Sequence, residues 1–165
     1  MTLISATFAS TYESLEKATP HTTEAIAASH FVDAFIKFMT PSMAGDAVAV
    51  PAALSSPAAL NPFKHATTLA FKSNPSGAVL AALDLAITAY ITTACLNGLY
   101  VSGVSGSATA FTPTTPLKTI ATPLFLTTSD NGPAAKKKFG DALKTYLGAG
   151  QVAFPGPPPV TKPIL

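Results

Sequence analysis

The run Val79–Leu96, VLAALDLAITAYITTACL, constrains this chain more than any other segment. A stretch that long and apolar either crosses a bilayer or forms a helix that other elements must cover. Asp84 interrupts it, and a mid-span Asp costs about 2.5–3.5 kcal/mol even on lenient insertion scales. Thr88 and Thr92 follow Asp84 at i+4 and i+8, so one helical seam is polar. No Lys flanks the run to orient it in a membrane. The reading is therefore a buried central helix from Gly77 to about Asn97, capped by Asn74 or Ser76. Leu80, Leu83, Ile87, Tyr90 and Ile91 form its apolar stripe, and no membrane partner is expected.

A core helix needs neighbours, and helical spacing supplies them. Leu3, Phe8, Tyr12 and Leu15 predict a helix over residues 2–17, with Glu13 and Lys17 paired at i,i+4. Pro20 and His21 break it. Thr22 or Thr23 then caps a helix from Glu24 to about Met39, whose stripe is Ala28, Phe31, Phe35, Phe38 and Met39. Pro41 ends that helix, and the extended strip Ala47–Pro51 follows. A short helix over 63–72 comes next. Asp130–Pro133 signals a turn into a last helix ending near Leu147, with Ala135, Phe139, Leu143, Tyr146 and Leu147 facing inward.

Between these, residues 99–128 are rich in Gly, Ser, Thr and Pro, with β-prone pieces at 99–101, 108–112 and 120–126 confined by prolines. The expected fold is mainly α: four to five helices around a buried centre, with short extended or β segments, the alternative being α+β. Residues 1–150 form one domain on this reading. Residues 151–165, holding Pro155, Pro157, Pro158, Pro159 and Pro163, form a proline-rich arm able to adopt polyproline II. An internal echo joins Phe31–Phe38 followed by Val48–Pro51 to Phe139–Tyr146 followed by Val152–Pro155. Each unit reads as an amphipathic helix running into a proline-stopped strip.

Charge is scarce. The chain has 165 residues with 10 cations, all Lys, and 8 carboxylates, so 11% is charged and the net charge is +2. That excludes electrostatic steering to nucleic acid, which needs a concentrated basic face. Lys136–Lys138 fan out by about 100° per residue on a helix and make no focused patch. Cys95, the single cysteine, reads as an inert core thiol. His21, His30 and His65 lack metal-ligand spacing, so no metal is expected. Gly103–Ser107 lacks the spacing of a nucleophile elbow, and neither a P-loop nor a dinucleotide fingerprint occurs. No catalytic group and no cofactor is indicated. Asp84, with Thr88 and Thr92, is the one carboxylate expected inside, bonded to Thr88 or to backbone donors, because buried charges persist only when satisfied.

A soluble monomer ordinarily carries about 25–35% charged residues on its surface. This chain cannot supply them, so neighbouring subunits are expected to cover it. Extended segments with open backbone groups suit such contacts. The expected assembly residues are Val48, Val50 and Pro51 in the strip, Phe111 in the 103–112 loop, and Phe154, Pro155, Pro157, Pro158, Pro159, Ile164 and Leu165 in the tail. Truncation after Gly150 is expected to spare the helices. Its size, its Thr/Ala/Pro/Gly bias and its lack of catalytic signals give the chain a resemblance to minor structural proteins of tailed-phage virions: decoration, neck or tail-completion, and baseplate accessory proteins. That resemblance implies a non-enzymatic virion subunit made in the host cytoplasm, partnered by copies of itself and by other virion structural proteins. Two further readings stand beside it: a cellular adaptor using the proline tail, and a small enzyme or ligand carrier centred on Asp84.

Overall fold

The computed structural model describes residues 3–73, 76–126 and 132–165. The expected caps at Asn74 and Asp130 lie outside the described residues. The fold is mainly α with a small β component, as the apolar periodicity implies. It has seven helices among the described residues rather than four or five.

Helix α1 (Ser5–Ala18) buries Phe8, and its exposed side carries the Glu13–Lys17 pair at 2.7 Å. Helix α2 (Glu24–Met39) starts where the Thr23 hydroxyl accepts the Ile26 N–H at 3.3 Å. That bond satisfies one of the donors a helix start leaves open. Its whole predicted stripe is buried. Phe31, Phe35 and Phe38 then build an aromatic core with Phe8, Phe63 and Tyr90, including a Phe63–Tyr90 stack at 4.3 Å. The Tyr90 hydroxyl donates to the Leu54 carbonyl at 2.6 Å, so this large ring buries no unmet polar atom.

Prolines punctuate the next stretch differently from expectation. Helices α3 (Pro51–Leu54) and α4 (Pro57–Phe71) each begin on a proline, whose fixed φ suits the first turn. Helix α4 therefore starts six residues before the predicted position and runs through Pro62. Both Pro62 and Ala58, whose carbonyl the missing N–H leaves open, face solvent, so that carbonyl is not buried without a partner. Helix α5 (Ser76–Leu96) is the predicted central helix. It packs against α3, α4, α6 and β5.

The 99–126 region is corrected at its end. Residues predicted as a possible strand form helix α6 (Leu117–Leu126), with Pro123 inside it. Its start is fixed by Asp84, whose Oδ2 accepts the Leu117 N–H at 2.9 Å. A cap supplied from 33 positions away leaves no local signature. Helix α7 (Pro133–Ala149) crosses α1 so closely that a Cβ at Gly140 would come 2.7 Å from the Ser5 carbonyl oxygen.

The β segments are short. Strands β1 (Met43–Ala44) and β2 (Ala47–Val48) form a hairpin turning on Gly45, at φ +63°, where glycine avoids the Cβ penalty. Strands β3 (Val101–Ser102) and β4 (Gly106–Ser107) form a second. Strands β5 (Ala110–Thr112), β6 (Gln151–Phe154) and β7 (Val160–Pro163) form an antiparallel sheet in the order β5-β6-β7. Isolated bridges, Ala44 to Ile164 and Ala49 to Tyr100, link these pieces. Reciprocal Met43–Leu165 backbone bonds at 3.0 and 2.8 Å, the Val50 N–H to Leu99 bond and the Ala108 N–H to Tyr100 bond complete a circuit.

That circuit overturns the proline-rich arm. The tail is extended, but it folds back as β6 and β7, and its prolines 155–159 occupy the turn between them, with a cis Pro157–Pro158 bond. Val152 and Phe154 alternate inward at 0% and 1% exposure, and Ile164 is fully buried. The period-2 pattern of a half-buried strand prevails over the extended bias of the prolines. The two echoing units both take the helix-then-strand form, α2 followed by β2 and α7 followed by β6.

Candidate functional site

The polar seam of α5 acts as a row of fasteners. Asp84 Oδ2 holds the start of α6, and the Tyr146 hydroxyl of α7 donates to Asp84 Oδ1 at 2.5 Å. With that proton committed, the Tyr146 oxygen accepts from Thr88 at 2.9 Å. Burial and the adjacent carboxylate hold the Tyr146 hydroxyl well above its ordinary pKa, keeping it a neutral donor. Thr92 Oγ1 accepts the Phe111 N–H at 3.2 Å, which ties β5 to the same helix. Asp84, Thr88 and Thr92 thus anchor α6, α7 and β5 in turn. Both Asp84 oxygens are engaged, as expected of an inward-turned carboxylate, but by the Leu117 N–H and the Tyr146 hydroxyl; Thr88 reaches Asp84 only through Tyr146. Cys95 is fully buried and its thiol is pushed up to about 12 by desolvation, the state of an inert core thiol.

A second polar knot lies outside the seam. Asp46, in the β1–β2 turn, accepts from Ser102 at 2.7 Å and from the Lys162 ammonium. Those bonds lower its pKa to about 2. Lys162 also lies 5.2 Å over the Phe154 ring. This knot clips β1–β2, β3 and β7 together.

Sequence spacing missed a third cluster. His21 Nε2 and His30 Nδ1 lie 2.8 Å apart, and Glu16 stands 3.7 Å from the other His21 nitrogen. The pairing arises because the α1–α2 connection turns back over α2, which no i,i+4 count reveals. Glu16 in turn accepts from Lys136 of α7, and Lys136 lies 5.6 Å over the Tyr12 ring. No group of three metal-ligating side chains occurs among the described residues.

The predicted assembly residues divide. Val48, Val50 and Leu165 are 45%, 40% and 51% exposed, and Pro51, Pro155, Pro157, Pro158 and Pro159 are exposed. Phe111, Phe154 and Ile164 are at most 2% exposed, so they belong to this chain's own core and not to a surface. For Phe111 and Phe154 the reason is their inward register in β5 and β6, and for Ile164 its bridge to Ala44 beyond the end of β7.

The central helix brings a further correction. It was expected to be enclosed, yet only 39% of its apolar window is buried. Ala78, Ala81, Leu85, Ala89 and Leu96 recur at three-, four- and seven-residue steps on one side and are exposed, Leu85 at 74% and Leu96 at 68%. Asp84, the helix's only charge, turns toward α6 and α7, so this outer face carries none. By length and composition the helix could also cross a bilayer.

A cavity of about 690 Å³ opens between α1, α2, the end of α4 and the first halves of α5, α6 and α7. Aromatic and aliphatic side chains line most of it. No family model matches this chain, and comparison with curated proteins and with solved structures returns no significant match.

Proposed function

We propose that this protein is a non-enzymatic structural subunit of a virus particle of the tailed-phage kind, working by association with copies of itself and with other virion proteins. The observation that carries the reading is the uncharged outer face of α5. Contiguous exposed apolar surface is uncommon on soluble monomers and marks association sites. Scarcity of charge elsewhere supports the same reading, because few ionic groups oppose close packing of copies. The association surface is then a rigid helix face rather than a flexible arm, with Val48, Val50 and Val104 as further exposed apolar residues. The proline run closes a tight turn between two strands, which removes the free polyproline segment an adaptor would need.

Analytical ultracentrifugation of the wild-type chain and of Leu85→Lys tests this. Wild type should associate with rising concentration, and the variant should sediment as a monomer with unchanged helical content. A wild-type chain that stays monomeric at high concentration, without lipid, would overturn the reading. Association of wild type only upon adding vesicles would assign the α5 face to a membrane and overturn it equally.

A further inference from the structure

The cavity between α1, α2 and the helices α4 to α7 carries an inference independent of assembly. Phe8, Phe31, Phe71, Leu83 and Phe139 make its apolar wall. Its volume of about 690 Å³ falls within the ~300–1,000 Å³ of small-molecule sites. Among the described residues only two lining side chains are charged, and both are cations: Lys118 and Lys136. Lys118 stands in the first turn of α6 and lies against Gly77, in the first turn of α5. Lys136 stands in the first turn of α7. Helix starts carry partial positive charge, so cations gathered there repel the local field and attract an anion. Glu16 answers Lys136. Lys118 is exposed and has no carboxylate partner among the described residues.

We infer that this cavity binds an amphiphile with one anionic head and an unbranched apolar tail, the head at Lys118 and the tail among the aromatic rings. A neutral apolar ligand would leave the convergent positive field unanswered, and a small anion would leave the apolar volume empty. Both halves of the site are used only by a molecule that combines them. The same chemistry is presented by a free alkyl carboxylate and by an anionic membrane lipid.

Calorimetric titration with sodium decanoate tests the inference, in a Leu85→Lys background so that the outer face of α5 contributes nothing. Saturable binding is expected, and decyltrimethylammonium should bind about tenfold weaker or less. Lys118→Glu, an exposed substitution, should weaken decanoate by a similar factor. Thr122→Phe, which fills part of the cavity, should abolish binding while Lys118→Glu guards against a folding artefact. Sedimentation with phosphatidylglycerol vesicles, against phosphatidylcholine, then separates a lipid source from a free amphiphile. Equal binding of the cationic and anionic probes, indifference to Lys118→Glu, or absence of saturable heat would overturn the proposal. None of these outcomes bears on self-association, which the Leu85 experiment reads alone.

Discussion

Ile164 directly follows strand β7. It is fully buried, and its bridge to Ala44 together with the Met43–Leu165 bonds seals the β circuit. Ile164→Ala removes three side-chain carbons from that site without changing the length of ordered chain. Truncations of this kind in packed cores cost about 2–5 kcal/mol, the transfer of the lost carbons plus the residual cavity. The backbone at Ile164 is held on both sides, so collapse of the cavity is limited and about 3 kcal/mol is expected. For a domain of this size that corresponds to a fall in Tm of roughly 6–12 °C. Leu165→Ala, at a half-exposed neighbour, should cost under about 0.5 kcal/mol. Urea and thermal unfolding followed by circular dichroism give both values. Equal, small shifts for the two variants would refute the claim that the tail belongs to the core. Cutting after Gly150 should be worse still, because it also removes the strand paired with Phe111 and the buried Val152 and Phe154; a truncated chain that unfolds cooperatively at the wild-type Tm would restore the independent arm.

Two further outcomes follow from the polar groups. Asp84→Ala strands the Leu117 N–H and takes the carboxylate from the Tyr146 hydroxyl, which keeps only Thr88, and should cost about 1.5–3 kcal/mol; in a double-mutant cycle with Tyr146→Phe, urea unfolding should show non-additive losses, since the two share one bond. His21 has its pKa lowered from 6.5 chiefly by burial; Glu16 pulls it upward, and the nearby positive charges of His30 and Lys136 add to the lowering. The unfolded chain therefore binds the proton more readily, so His21's contribution is intact above about pH 6.5 and is lost as pH falls below it. His21→Gln should flatten that limb of the stability–pH curve measured by urea titration, and an unchanged limb would assign the loss to other groups.

Much of the helical body was legible because helix periodicity is a local property. The stripe of α2 needs only the spacing of Phe31, Phe35 and Phe38, and the Thr23 cap needs only its neighbours. The inside position of Asp84 was legible for the same reason, as the lone charge on an apolar helix. Its partners were not, since Leu117 and Tyr146 lie 33 and 62 positions away. Helix α6 was misread as possible strand because its start depends on that distant acceptor. The His21–His30 contact was invisible for a related reason: it exists only once a connection folds back.

By itself, then, the order of residues determined the helices with a strong apolar stripe, α1, α2, α5 and α7, that Val79–Leu96 forms the long central helix, and that ionic groups are scarce. Tertiary structure alone decided that the proline-rich end folds back as strands β6 and β7, that one side of the central helix remains bare, and that two lysines line an apolar cavity. The division is physical. Backbone preference and side-chain period act over three or four residues, whereas burial is set by what the rest of the chain leaves room to cover.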